Sequence, residues 1–193
     1  EVTKEELQLV DKEIQKAERK LVSASDTQAV EKVYRAILNT KPPKQIVKYH
    51  NYGKFEYIPI TLVERLLDGL FEWWQPEIIR EGHVINGFYV VVRLRAKIPK
   101  SDKILVADGI GFAEFQTAKG AGPMDYTQLM QGAGVLAVPK AKAEAIKNAA
   151  KSLGNLFGRN LTRNDDNVEY EEGVVNMSRK RIAKALENND ENN

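Results

Sequence analysis

The Val-rich stretch Phe88–Ile98, in which apolar and basic residues alternate from Val92 onward, constrains the fold of this chain more than any other feature. Neighbouring side chains of a β-strand point to opposite faces, so the alternation predicts a half-buried antiparallel strand. One face of this strand carries Val92, Leu94 and Ala96, and the other carries Arg93, Arg95 and Lys97. A row of like charges on a sheet is unfavourable unless something anionic lies against it. The row therefore indicates either an anionic partner or an ordinary solvated face.

Two further extended stretches flank this strand in the sequence. A short one at Glu77–Arg80 precedes it, and Lys103–Phe115 follows it after a turn at Pro99–Asp102. Short connections of this kind join antiparallel neighbours, because parallel strands need a long crossover. The three stretches predict a three-stranded antiparallel sheet.

Apolar residues recur at helical spacing in three places before the sheet. The first predicted helix has Leu7, Val10, Ile14 and Ala17 on one face, behind a Thr3–Glu6 capping-box pattern. The second covers Asp26–Leu38, with Asp26 as its cap. Whether this N-terminal pair packs on the core or docks onto a neighbouring subunit stays open.

The third helix is predicted from Ile58, with Pro59 in its first turn. Its buried face is formed by Leu62, Val63, Leu66, Leu67 and Leu70. Trp73 and Trp74 follow directly, and Pro76 is expected to close the element, because proline cannot continue a helix.

A glycine-rich stretch from Gly120 to Gly134 predicts a long surface loop, and the strongest helix pattern of the chain follows at Pro139–Asn160. One side of that helix carries Ala141, Ala145, Ala149, Leu153, Leu156 and Phe157. The opposite side carries Lys140, Glu144, Lys147 and Lys151. The predicted fold class is therefore α+β, with a three-stranded antiparallel sheet packed on a long amphipathic helix and additional N-terminal helices.

Two glycines, Gly154 and Gly158, lie one turn apart near the end of this helix. Each disfavours a helix by about 1 kcal/mol relative to alanine. Their spacing indicates a close backbone approach, to another element or to a phosphate. The alternative is that the helix ends early, at Gly154.

Composition argues against several classes of function. Cysteine is absent, and the only histidines are His50 and His83, so thiolate and multi-histidine metal sites are excluded. The chain contains no phosphate-binding loop, and the Gly109-Ile110-Gly111 pair lacks the third glycine and the helix of a dinucleotide site. Without a long apolar run or a secretory leader pattern, we expect an intracellular chain without a membrane span.

The net charge of +2 hides an uneven distribution along the chain. Basic residues dominate from Arg80 to Lys103 and from Pro139 to Arg163, whereas the tail from Asn164 onward is acidic. A basic middle beside an acidic tail favours a polyanionic partner, although chance clustering on a solvated surface is an equal alternative.

The segment Ala141–Gly158 reads Ala-x-x-x-Ala-x-Lys-x-x-x-Lys-Ser-Leu-Gly-Asn-x-Phe-Gly. This pattern resembles the signature helix of the Rad-fifty-two-type single-strand annealing proteins, a superfamily that includes the phage Sak annealing proteins. The order of elements is similar as well: a helix ending in aromatic residues, a three-stranded sheet, then this helix. The resemblance covers Tyr57–Arg163.

The resemblance implies a DNA-annealing recombinase, without bond chemistry and without ATP or another cofactor. Such a protein binds single-stranded DNA along a basic groove of a homo-oligomeric ring or helical filament and anneals complementary strands in recombination and repair. A phage exonuclease or a host single-strand-binding protein is the further partner implied, and the cytoplasm of a bacterial host cell is the implied location.

Lys147 and Lys151 match phosphate-binding positions of that family, whereas Asn148 stands where the eukaryotic recombination mediator has an arginine. The pattern of alternation and charge adds further candidate DNA-binding residues, namely Arg93, Arg95, Lys97, Lys140, Arg159 and Arg163. Together they predict a single cationic trough, built by the lysine-striped helix and the arginine-rich sheet face.

Two other functions compete with annealing. A metal-dependent nuclease would use Asp108 and Glu114, but six residues along one strand separate them by about 20 Å, which disfavours a shared metal site. A non-catalytic RNA-binding or structural protein is the other alternative. The domains predicted are an N-terminal helical segment at 1–40, the annealing core at 41–163 and an acidic tail at 164–193.

Overall fold

A three-stranded antiparallel sheet and one long helix form the centre of the fold. In this computed structural model, residues 2–22, 27–50, 55–120 and 126–161 are described. The sheet has the order β3–β4–β5 and consists of Trp73–Val84, Gly87–Lys97 and Ile104–Glu114. Helix α4, Ala133–Leu153, lies against one of its faces, which we call the inner face. The α+β class, with the sheet packed on a long helix, is confirmed.

The alternation predicted for β4 is confirmed as well. Val90, Val92, Leu94 and Ala96 are buried, whereas Arg93, Arg95 and Lys97 lie on the opposite, outer face. Burying the apolar residues removes four side chains from water and fixes which face of the sheet meets α4.

Glycines in β5 allow α4 to approach the sheet closely. A Cβ atom on Gly109 would overlap the backbone of Ala145 and Ala149, and one on Gly111 would overlap the backbone of Ala141 and Ala145. The glycine pair therefore serves helix–sheet packing, in which small residues on both elements bring the two backbones together.

Strand β3 corrects the prediction for the tryptophans. Trp73, Trp74 and Pro76 were expected to end the third helix, but all three belong to β3, which is twelve residues long. The pairing of Trp73 with Lys97 and of Pro76 with Leu94 extends the strand to the full length of β4. Proline is tolerated because β3 is an edge strand, with β4 as its one neighbour among the strands of the described ranges.

Two N-terminal helices pack against the core. Helix α1 covers Lys4–Val22 and helix α2 covers Thr27–Leu38. The predicted capping box is confirmed, since the backbone N–H of Thr3 donates to Glu6 and that of Glu6 donates to the Thr3 hydroxyl. The predicted Asp26 cap lies outside the described residues.

Helix α3, Ile60–Leu70, connects these helices to the sheet, with Pro59 at its N-cap and the five predicted leucine and valine side chains buried. The Arg65 guanidinium binds the Asp11 carboxylate of α1 through two hydrogen bonds of 2.7 Å. The buried Tyr34 hydroxyl of α2 donates to the Leu70 carbonyl. The N-terminal pair thus packs on the core of its own chain.

The boundaries of α4 differ from the prediction. The helix starts at Ala133, so Pro139 lies inside it and not in its first turn, and it ends at Leu153. The predicted loop is correspondingly shorter, and Leu129 in its described part pairs with Thr117, which precedes the loop, in an isolated antiparallel bridge. Gly154 both ends the helix and lies against the Leu38 carbonyl of α2, leaving no room for a Cβ atom. Both interpretations of Gly154 are therefore confirmed, since the helix ends at this glycine and its backbone lies close to another element.

A small hairpin, β1 at Lys48–His50 and β2 at Phe55–Tyr57, precedes α3. None of the helices in the described ranges is long and apolar enough to cross a membrane.

Candidate nucleic-acid interface

Lys147 and Lys151 of the lysine stripe are half-buried, and the part of α4 that carries them contacts the β1–β2 hairpin and strand β5. On the hairpin side, the Lys147 ammonium lies 5.5 Å from the centroid of the Tyr57 ring. On the edge side, the Asn148 amide donates a 2.8 Å hydrogen bond to the Ile110 carbonyl of β5. These two contacts help to fix the rotation of α4 and hold the Lys147 ammonium at the hairpin.

Lys147 is held on several sides. Its ammonium forms a 2.5 Å ion pair with Glu144, one turn earlier on α4, and its side chain is only 16% exposed. The Tyr57 ring supplies a cation–π contact in addition. The lysine is therefore preorganised, and an incoming anion has to compete with Glu144 for it.

Lys151 lies one turn further along the helix. Its ammonium donates to the Asn148 side-chain oxygen at 3.3 Å. Burial lowers the pKa of Lys151, the charge of Lys147 lowers it further, and Glu144 acts in the opposite direction. A bound phosphate would oppose both lowering effects, because a nearby negative charge favours the protonated amine.

The hairpin contributes an aromatic cluster beside this stripe. The rings of His50 and Phe55 stack with 5.0 Å between centroids, and Phe55 meets Tyr57 edge-on at 6.2 Å. Phe55 is 41% exposed, which leaves ring surface open to solvent. Flat exposed aromatic surface next to lysines is the combination on which bases of single strands stack while their phosphates pair with cations.

The basic row on the outer sheet face is neutralised within the chain. Arg93 binds Asp108 through two hydrogen bonds of 2.9 Å. Arg95 lies 3.3 Å from Glu77, and Lys97 lies 3.0 Å from Glu72. The hydrogen bonds from Arg93 lower the pKa of Asp108. The anionic groups that this row requires are thus carboxylates on β3, on β5 and just before β3.

The prediction of a single cationic trough within one chain is wrong. Arg93, Arg95 and Lys97 lie on the outer face, whereas α4 packs on the inner face against Gly109 and Gly111. The sheet therefore lies between these three cations and the lysines of α4, because neighbouring side chains of a strand point to opposite faces. Lys147 and Lys151 therefore form the candidate interface without the sheet cations, whose role in DNA binding stays a prediction.

The remaining candidates are dispersed. Lys140 is exposed two turns before Lys147 on α4. Arg159 donates to the Lys151 carbonyl at 3.1 Å and to the Ser152 carbonyl at 2.5 Å, so it caps the C-terminal end of α4. Arg163 lies outside the described residues.

The aromatic hairpin is the part of the site that the sequence interpretation missed. A signal was present, because Val-Lys-Tyr-His and Phe-Glu-Tyr-Ile flank a short segment containing Asn51 and Gly53. Two short aromatic and β-branched runs around such a segment are typical of a hairpin.

No protein-family model matches the chain, and no curated protein matches it either. Among the described residues, no group of three or more histidine or carboxylate side chains is arranged to hold a metal ion. The fold places the chain in the class of α+β domains with an antiparallel sheet packed on one long helix.

Proposed function

We propose that this chain binds single-stranded DNA along the solvent side of α4 and, as a homo-oligomer, anneals complementary strands without ATP and without bond chemistry. The observation that carries the proposal is the contact of Lys147 with the Tyr57 ring of the aromatic hairpin, with Lys151 one turn further along the same helix. Four residues of helix separate the two lysines by about 6 Å along the axis. They form a short cationic track that begins at the Tyr57 ring, which in turn meets the exposed Phe55 ring edge-on.

The physical requirements of annealing match this arrangement. Lysines that bind phosphates leave the base edges free to find a complementary strand, and stacking on aromatic rings tolerates any sequence. Each copy contributes only a few contacts, so tight binding depends on many copies acting on one strand.

The resemblance of Ala141–Gly158 to the annealing proteins supports the same proposal. On that basis we place the protein in homologous recombination in the cytoplasm of a bacterial host cell, with a phage exonuclease or a host single-strand-binding protein as its further partner.

The test is a double substitution, Lys147→Met with Lys151→Met, which removes both charges and keeps the apolar stems. Loss of two charge-assisted contacts is expected to weaken binding about tenfold to a hundredfold. The slope of log affinity against log salt should fall by about 1 to 2, because fewer counterions are released. Fluorescence anisotropy with labelled oligo-dT in EDTA, from low to high salt, measures both quantities.

A matched control is available on α1. Lys12→Met with Lys16→Met has the same spacing and the same change of charge on exposed lysines, and it should leave affinity unchanged. Equal effects of the two pairs would refute the site, since they would show a response to net charge alone.

Wild-type protein should also accelerate the pairing of two complementary labelled strands in EDTA. If the protein binds RNA as tightly as single-stranded DNA and does not accelerate pairing, the chain is an RNA-binding protein and the annealing proposal is wrong. If the strands are cleaved when magnesium is present, the chain is a nuclease and the annealing proposal is wrong as well.

A further inference from the structure

Two apolar surfaces of this chain are exposed to solvent on different layers of the fold. The first, which we call the ridge, is formed by Val135, Leu136 and Val138 in the first turns of α4, which are 76%, 59% and 40% exposed. The second, which we call the outer patch, is formed by Ile104, Val106, Ile110 and Phe112 of β5, which are 44–63% exposed. The exposed fractions amount to about 300 Å² for the ridge and about 400 Å² for the outer patch, within the range of the largest apolar patch of a typical monomer.

The two surfaces do not face each other within one chain. The outer patch lies on the outer face of the sheet, and α4 lies against the inner face through Ala141, Ala145 and Ala149. The ridge continues α4 towards its N-terminus, on the side of the helix opposite the buried Ala133 and Ala137. A three-stranded sheet therefore stands between them.

Both surfaces are electrically neutral. From Gln131 to Pro139 the chain has no charged residue. On the outer face, Arg93 and Arg95 are paired with Asp108 and Glu77, next to a groove of about 540 Å³ that Ile104 and Val106 help to line. An uncharged helix end can enter this groove without leaving a buried charge unpaired, which would be the main cost of covering the face.

We propose that the ridge of one copy packs on the outer patch of a second copy, so that the chains assemble head to tail. The proposal specifies the contact within the oligomer of the proposed function and rests on that function. A contact between two different surfaces leaves one of each free at the ends, and further copies add until a ring closes or a filament extends. Each partner contributes one of the two patches, which is half or less of the roughly 800 Å² per partner of a standard interface, and the polar rims around the patches have to supply the rest.

A pair of complementary variants tests the contact. Val106→Glu places a charge in the outer patch and leaves the ridge intact, and Leu136→Glu does the reverse. Both positions are exposed, and a glutamate in the first turn of α4 also interacts favourably with the helix dipole, so both variants should fold. The conservative variants Val106→Ile and Leu136→Met should assemble as the wild type does.

The expected results by light scattering are specific to a head-to-tail contact. Wild-type protein forms oligomers, each glutamate variant alone is a monomer of 21.8 kDa, and an equimolar mixture of the two forms a dimer of twice that mass and nothing larger. The mixture pairs the intact ridge of one variant with the intact outer patch of the other.

A wild-type protein that is monomeric would overturn the proposal. This outcome is also the one expected if another segment of the same chain covers the outer patch. A mixture that stays monomeric would overturn the proposal too. Oligo-dT binding, measured in parallel, separates the two hypotheses. Wild-type monomers that bind oligo-dT refute the contact and the homo-oligomer but leave DNA binding by the α4 site standing. Wild-type oligomers that do not bind oligo-dT refute the proposed function and leave the contact standing.

Discussion

Replacing Gly111 with alanine should destabilise the protein, although alanine is normally the more favourable residue. A Cβ atom at this position would overlap the Ala141 carbonyl oxygen and the Ala145 nitrogen, which are backbone atoms that cannot rotate away. Either α4 or β5 has to shift. Overpacking of this kind costs about 1–3 kcal/mol, and a clash with two backbone atoms belongs at the upper end of that range.

The opposing effect is smaller. Restricting the unfolded chain by a Gly→Ala change stabilises by about 0.4–1 kcal/mol. The net loss is therefore about 2 kcal/mol, and at about 2–4 °C per kcal/mol for a chain of this length the Tm should fall by about 4–8 °C. Thermal unfolding followed by circular dichroism measures the change.

Gly134→Ala provides the matched control. Gly134 lies in the first turn of α4, where nothing stands within 4 Å of an added Cβ, and its backbone is helical. This substitution should raise the Tm by about 1–4 °C, because alanine is favoured over glycine in helices by up to about 1 kcal/mol. If Gly111→Ala were as stable as Gly134→Ala, α4 would not approach β5 as closely as the structure shows.

Two further substitutions test single interactions. Tyr34→Phe leaves the buried Leu70 carbonyl without its hydroxyl donor and should lower the free energy of unfolding by about 1–3 kcal/mol in urea titrations; an unchanged value would mean that another group satisfies the carbonyl. Asp108→Asn removes a carboxylate whose pKa Arg93 holds below its ordinary value of 3.8. The stabilisation from this pair is present above that ordinary value and is lost as pH falls through the lower pKa of the folded state, so the variant should lose less stability than wild type on acidification below pH 4.

The main elements of the fold could be predicted because their signals are local. The alternation around Arg93 and the spacing of Leu62 to Leu70 depend only on the geometry of a strand or a helix. The Thr3–Glu6 capping box is equally local, since both partners lie within one turn. Each of these predictions is confirmed by the burial and hydrogen bonds of the structure.

Element ends were less predictable, since contacts with other elements set them. Pro76 was expected to close an element, but an edge position in the sheet admits it. Pro139 was expected to open α4, but the helix begins six residues earlier at Ala133, which is itself buried.

For the candidate site, the sequence by itself determined that Lys147 and Lys151 share one side of a helix and that Arg93, Arg95 and Lys97 share one side of a strand. Only the tertiary structure decided what these rows meet. The register of the sheet brings carboxylates 15 to 25 residues away onto the arginine row, and the packing of α4 on the inner face turns Lys147 towards the aromatic hairpin. Periodicity defines faces within one element, whereas the pairing of faces between elements depends on side-chain volumes and long-range contacts that no local pattern encodes.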